Sequence, residues 1–149
     1  MQRLNLPEYS LKTRINEGKQ EIFDIVRKKY VTLTSEEWVR QHIIHYLIES
    51  KHVPASLLAV EKKVVLNQLT RRTDVVVFDR NANPRMIVEC KAPQIKINQD
   101  VFDQIVRYNM VLKVDYLLVT NGLKHYCCKM LYDQMNYQFV ENIPEYEEL

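Results

Sequence analysis

The sequence predicts an α/β fold with a mixed central β-sheet flanked by helices, in the order β-α-β-β-β-α-β-β-β. Three observations predict it. Two segments carry apolar residues at helical spacing and alternate with runs rich in β-branched and aromatic residues. The runs at 75–78 and 86–88 are apolar throughout, as in a sheet covered on both faces. The second helical segment lies between two such strands, so a crossover to a parallel neighbour is expected.

Residues 1–19 are polar and mixed, punctuated by Pro7 and Gly18, and predict a loose N-terminal segment. Glu21 to Val26 suits a strand. The basic triplet Arg27-Lys28-Lys29 after it reads as a solvated surface or as a phosphate-contacting patch. Thr34 to Ser50 is a helix: Thr34 and Glu37 form a T-x-x-E capping box, and Val39, Ile43, Ile44, Tyr46, Leu47 and Ile48 make its apolar stripe. His42 and His45 have no partner at metal-ligand spacing and read as boundary histidines.

Leu58 to Leu66 predicts one strand, with Asn67 to Arg72 as a turn into a central hairpin. That hairpin joins the 75–78 and 86–88 runs through the turn residues Asn81, Asn83 and Pro84. Asn98 is a suitable N-cap for a second helix, Gln99 to Lys113, with Val101, Ile105, Tyr108 and Leu112 as its core stripe. Val114 to Asn121 follows as a buried strand. Asn121-Gly122 signals a turn into a closing hairpin of His125 to Leu131 with Tyr137 to Val140. Residues 141–149 form an acidic tail, expected to fray, and residues 1–149 read as a single domain.

Bulk properties narrow the function classes. The chain of 149 residues is 46% apolar and 27% charged, with net charge +2. Setting aside Glu141, Glu145, Glu147 and Glu148 leaves 21 basic against 15 acidic residues, a body of +6 beside an acidic tail. No G-x-x-x-x-G-K-[ST] loop occurs, so a nucleotide-driven motor is not expected here. Three cysteines without a C-x-x-C pair suit reduced thiols and a cytoplasmic location, and Cys127-Cys128 read as small buried hydrophobes. No apolar run nears the ~18 residues of a membrane span.

The hairpin register points to chemistry. With Arg80 to Asn83 as a four-residue loop, Asp79 faces Pro84, Val77 faces Met86, Val75 faces Val88 and Asp74 faces Glu89. Like charges placed opposite one another destabilise a sheet unless something offsets them, and a divalent cation does. Lys91 lies two residues beyond Glu89 and shares its face. Two carboxylates and an ammonium in one place suit metal-assisted hydrolysis.

Asp74, then fifteen positions on Glu89-Cys90-Lys91, resembles the D…ExK signature of the PD-(D/E)xK nucleases. Four blocks in order are similar to one branch, the N-terminal domain of type I restriction enzyme motor subunits: 34–41 (TSEEWVRQ), 88–93 (VECKAP), 104–109 (QIVRYN) and 119–122 (VTNG). The resemblance implies a restriction-endonuclease-like core and Mg²⁺-dependent hydrolysis of DNA, with Mn²⁺ able to substitute. Asp74, Glu89 and the Cys90 carbonyl would bind the metal, and Lys91 would orient or activate water. Glu37 is the helix glutamate that the family often lends to the site, while Gln104 and Tyr108 match its Q-x-x-x-Y pair. Arg72 joins Gln104 and Tyr108 as substrate-binding. Thr73 stands where the signature often has proline. Because the family domain works beside motor and specificity subunits, a separate partner of that kind is implied. A second reading keeps the fold as a catalytically silent nucleic-acid-binding or assembly module. A third makes Asp74 a strand-end turn residue and Glu89–Lys91 a surface ion pair, with the two carboxylates splayed apart.

Overall fold

The computed structural model describes residues 1–66 and 68–149. Its elements are β1 (Thr13–Asn16), β2 (Lys19–Asp24), β3 (Lys29–Thr32), α1 (Ser35–Glu49), β4 (Leu58–Val60), β5 (Lys63–Leu66), β6 (Leu69–Arg72), β7 (Val75–Phe78), β8 (Pro84–Cys90), α2 (Gln99–Met110), β9 (Tyr116–Thr120), β10 (His125–Leu131) and β11 (Asn136–Val140). Six strands form the central sheet in the order β11-β10-β9-β8-β7-β4, beside a three-stranded sheet β1-β2-β3 and a two-stranded pair β5-β6. Among the described residues, only β8 and β9 pair in parallel within the central sheet, across the α2 crossover, as a strand-helix-strand unit requires.

The apolar runs of β7 and β8 are buried on both sides, as expected. One face of the sheet contributes Val75, Val77, Met86, Val88 and Leu118 to a core with Val39, Ile43, Ile44 and Leu47 of α1. The other face contributes Ile87, Leu117, Val119 and Cys128 to a second core with Phe102, Ile105 and Val106 of α2. The alternation along each strand thus assigns one helix to each face. Cys90, Cys127 and Cys128 are all free and buried, and burial pushes the Cys127 and Cys128 thiols up to about 12.

Both ends are more ordered than the composition suggests. Leu4 is buried, Asn5 donates to the Gly122 carbonyl at 2.8 Å, and the Trp38 indole donates to the Gln2 carbonyl at 2.7 Å. Gly122 has φ +85, and a Cβ there would lie 2.8 Å from Leu4, so only glycine admits both the turn and the docked N-terminus. The acidic tail docks through Tyr146, which is buried, with its N–H on the Lys51 carbonyl and its hydroxyl on the Phe78 carbonyl. A capping box between Glu145 and Glu148 closes that last turn.

Four further expectations need correction. Leu58 to Leu66 is two strands, because Glu61 adopts φ 53 and turns the chain between them. The segment expected as a turn after them contains β6, paired with β5; Asn67 of that segment lies outside the described residues. The central hairpin keeps the expected pairs Val77–Met86 and Val75–Val88, but its register shifts next to the loop, so Phe78 faces Pro84 and Asp79 donates to Asn83. On α2, which ends at Met110, the buried residues are Phe102, Ile105, Val106 and Asn109. Phe102 packs against Tyr126, Tyr137 and Phe139, which turns Tyr108 out of the core to 45% exposure.

Candidate active site

Asp74 precedes β7, and its carboxylate reaches across to β8, where Oδ2 accepts the Cys90 N–H at 2.7 Å. This bond sets residue 90 with its backbone polar groups toward Asp74, since the N–H and C=O of one strand residue share an edge. Thr73, just before, donates both its N–H and its hydroxyl to the Lys62 carbonyl. Proline here would forfeit the N–H bond, which threonine keeps.

Glu89 sits beside Asp74. Burial first and then the Asp74 charge push its carboxyl up to about 8, with Lys91 pulling the other way. The two carboxylates therefore lie next to each other. Glu89 Oε1 is shut off from solvent and, among the described residues, meets no hydrogen-bond donor. Lys91 is fixed by its N–H on the Thr120 carbonyl at 2.8 Å. Its side chain lines a surface cleft of about 390 Å³ with Arg72, Glu89, Gln104, Tyr108 and Asn109. Gln104 and Tyr108 are exposed one helical turn apart on that wall.

Glu37 is in a different place. Its N–H is capped by Thr34 Oγ1, but its carboxylate turns inward, so the reciprocal half of the expected capping box is missing. Oε1 accepts from Arg27 at 2.9 Å and from Arg40 at 3.0 Å, and Oε2 accepts from Gln41 at 3.0 Å. Arg40 then bridges onward to Asp74 Oδ1 at 3.2 Å and to Glu61 at 3.3 Å. Glu37 is thus linked to Asp74 through Arg40. The neighbouring Glu36 is the helix carboxylate that feels the site directly: burial and the Asp74 charge raise its pKa, while Arg40 and Lys91 lower it. Arg27, expected in a surface or phosphate-binding triplet, is bound inside by Asp24, Glu37 and Glu61. Among the described residues, no group of three His, Cys, Asp or Glu side chains forms a metal cage. His42 is buried and donates its Nδ1–H to the Trp38 carbonyl.

Sequence reasoning missed Arg40, Arg27 and Glu61. Their only local signal is that Glu37 and Arg40 are three apart and so neighbours on the helix. Nothing local connects them to Glu61 or Asp74.

Glu89 makes stability pH-dependent. Its folded pKa lies above its ordinary value of 4.5, so the stability it contributes is fully present below about 4.5 and is lost as pH rises through about 8. Discounted for partial solvent access, this amounts to about 2–3 kcal/mol. In metal-free buffer the melting midpoint should fall by roughly 5–10 °C between pH 5 and pH 8, and Glu89→Gln should flatten most of that slope. An unchanged slope in the variant would assign the effect elsewhere.

The family described as type I restriction enzyme R protein N terminus (HSDR_N) matches residues 35–144, a span that contains α1, Asp74, Glu89, Lys91 and α2. Among solved structures, the fold is similar to a fragment described as an HsdR subunit of a type I restriction enzyme from Vibrio vulnificus YJ016. The TM-score is 0.54 and the identity 18%, over 78% of this chain and 24% of that one, so this chain spans about a quarter of that length. At that identity the likeness concerns the fold. No curated protein matches the chain.

Proposed function

Because the chain belongs to the type I restriction enzyme R protein N-terminus family, we propose that it is a Mg²⁺-dependent endonuclease of the PD-(D/E)xK kind, hydrolysing DNA phosphodiester bonds. The observation that carries this reading is the Glu89 carboxylate: desolvated, set against Asp74, with one oxygen lacking any donor. A buried carboxylate oxygen without a partner costs free energy, and a hard cation removes that cost. The donors are all oxygen, as Mg²⁺ prefers: Asp74, Glu89 and the Cys90 carbonyl on the Asp74 edge.

Mg²⁺ held there, with Mn²⁺ as a substitute, supplies Lewis-acid polarisation of the phosphate and a lowered pKa for attacking water. The remaining work falls to the chain. Glu89 releases its proton on loading, since the ligand form is the carboxylate. Lys91 orients the water from the cleft wall. Gln104 and Tyr108 hold the scissile strand, and Arg72 takes a flanking phosphate. Glu37 acts as a positioning residue, holding Arg40 against Asp74. The proposal extends to a cytoplasmic setting and a separate motor or specificity subunit as partner. Among the described residues, no helix is long and apolar enough to cross a membrane.

One observation favours the catalytically silent alternative: both Asp74 oxygens are already engaged, by Arg40 and by the Cys90 N–H. Isothermal titration with Mg²⁺ or Mn²⁺ separates the two. The endonuclease reading expects binding by the wild type and its loss in Glu89→Gln. A wild type that takes up neither ion and leaves plasmid intact sinks it in favour of the silent module.

A further inference from the structure

We propose that the β5–β6 pair is a DNA-gripping arm, whose Lys63–Arg72 rung takes a backbone phosphate of duplex DNA lying across the cleft. The choice of DNA rests on the endonuclease reading; the arm itself rests on separate observations.

A two-stranded pair outside the main sheet is marginal in water unless something holds it. Among the described residues, the apolar packing that holds this one lies on one face. Val64 packs against the α2-side core. Arg71, its cross-strand partner, donates from Nε to the Tyr108 carbonyl at 3.2 Å and lays its guanidinium 4.8 Å from the Tyr108 ring centre. That carbonyl belongs to the last turn of α2, where helix carbonyls lack internal partners and a cation is favoured. The arm is thereby fastened to the helix that carries Gln104 and Tyr108. Arg71 serves as this anchor.

Strand alternation sends Lys63, Val65, Thr70 and Arg72 to the opposite face. On it, Lys63 lies directly opposite Arg72, a like-charge pair that destabilises an isolated ribbon unless an anion is added. Arg72 has a partial partner in Glu61 at 3.3 Å, but among the described residues no carboxylate pairs with Lys63. The next rung outward pairs Val65, 64% exposed, with Thr70. Arg72 also lines the cleft beside Glu89 and Lys91, so the cationic rung stands at its rim. A second copy of this chain docking symmetrically through this face would set the rung against itself and add repulsion. A polyanion, with about one charge per 1.7 Å of duplex axis, relieves it.

The test is fluorescence anisotropy of the full chain on a labelled duplex of about 20 base pairs in EDTA, across a salt series, so that no cleavage intervenes. Lys63→Gln should weaken binding about five- to tenfold and make the log–log salt slope shallower by about one, while Lys63→Arg keeps both. Val65→Lys should tighten binding, a gain that misfolding does not produce. The proposal is overturned if the wild type does not bind duplex, if Lys63→Gln binds with wild-type affinity and slope, or if the variants change only self-association in sedimentation. The two readings fail separately. Metal-dependent cleavage with an indifferent Lys63 removes the arm alone. Arm-dependent binding by a protein that takes up no Mg²⁺ removes the endonuclease reading alone.

Discussion

Lys91→Ala should lower the rate of Mg²⁺-dependent plasmid nicking by about 10²–10⁴-fold, the range lost when a positioned proton-handling or orienting group is removed. In activation terms this is about 3–5 kcal/mol. Such a loss follows from where the side chain sits. Its backbone is pinned to Thr120 where β8 pairs in parallel with β9, and its side chain lines the cleft wall with Glu89 and Gln104. Folding is not at risk, because the residue is only half-buried and its backbone bond survives substitution. Mg²⁺ uptake should persist or tighten, since a neighbouring positive charge has been removed. That split, chemistry lost with metal binding retained, separates a role at the reacting water from a role in the fold. Nicking at the wild-type rate would exclude Lys91 from the reaction.

Arg40→Met should be among the most destabilising single changes in the protein, by about 3–5 kcal/mol in urea denaturation. Arg40 is 5% exposed and holds Glu37, Glu61 and Asp74 together. Its removal strands Asp74 without its cation and leaves Glu37 and Glu61 to Arg27 and Arg72, and a charge left unpaired with little water costs far more than the loss of a surface pair. A second substitution, Asp74→Asn, should restore part of the loss, because the stranded charge is gone; strict additivity of the two changes would show that they do not interact. Destabilisation below about 1 kcal/mol would mean that solvent screens the cluster.

The hairpin at the centre of the site was legible because its signals are local. Val75 to Phe78 and Met86 to Val88 are β-formers bounded by asparagines and a proline, and side-chain alternation then fixes which residues share a face. The pairs Val75–Val88 and Val77–Met86 follow from loop length, and they bring Asp74 to Glu89 even though the register shifts by one residue at the loop. Both helices and their caps, Thr34 and Asn98, were legible for the same reason. Glu61 was not: its positive φ and its contacts with Arg27, Arg40 and Arg72 depend on residues up to 34 positions away. The same holds for the tail, whose composition predicts fraying, while one aromatic side chain, Tyr146, finds a place against Phe78.

The sequence by itself determined the mixed α/β class, the two helices and the two-faced central strands, because periodicity, turn chemistry and register act over a few neighbouring residues. Only the tertiary structure decided which charges are paired. It drew Glu37 and Arg27 inside, made Arg40 the bridge to Asp74, and left one Glu89 oxygen without a donor. Desolvation and ion pairing are properties of three-dimensional neighbourhoods, and groups far apart along the chain acquire them only when the chain folds.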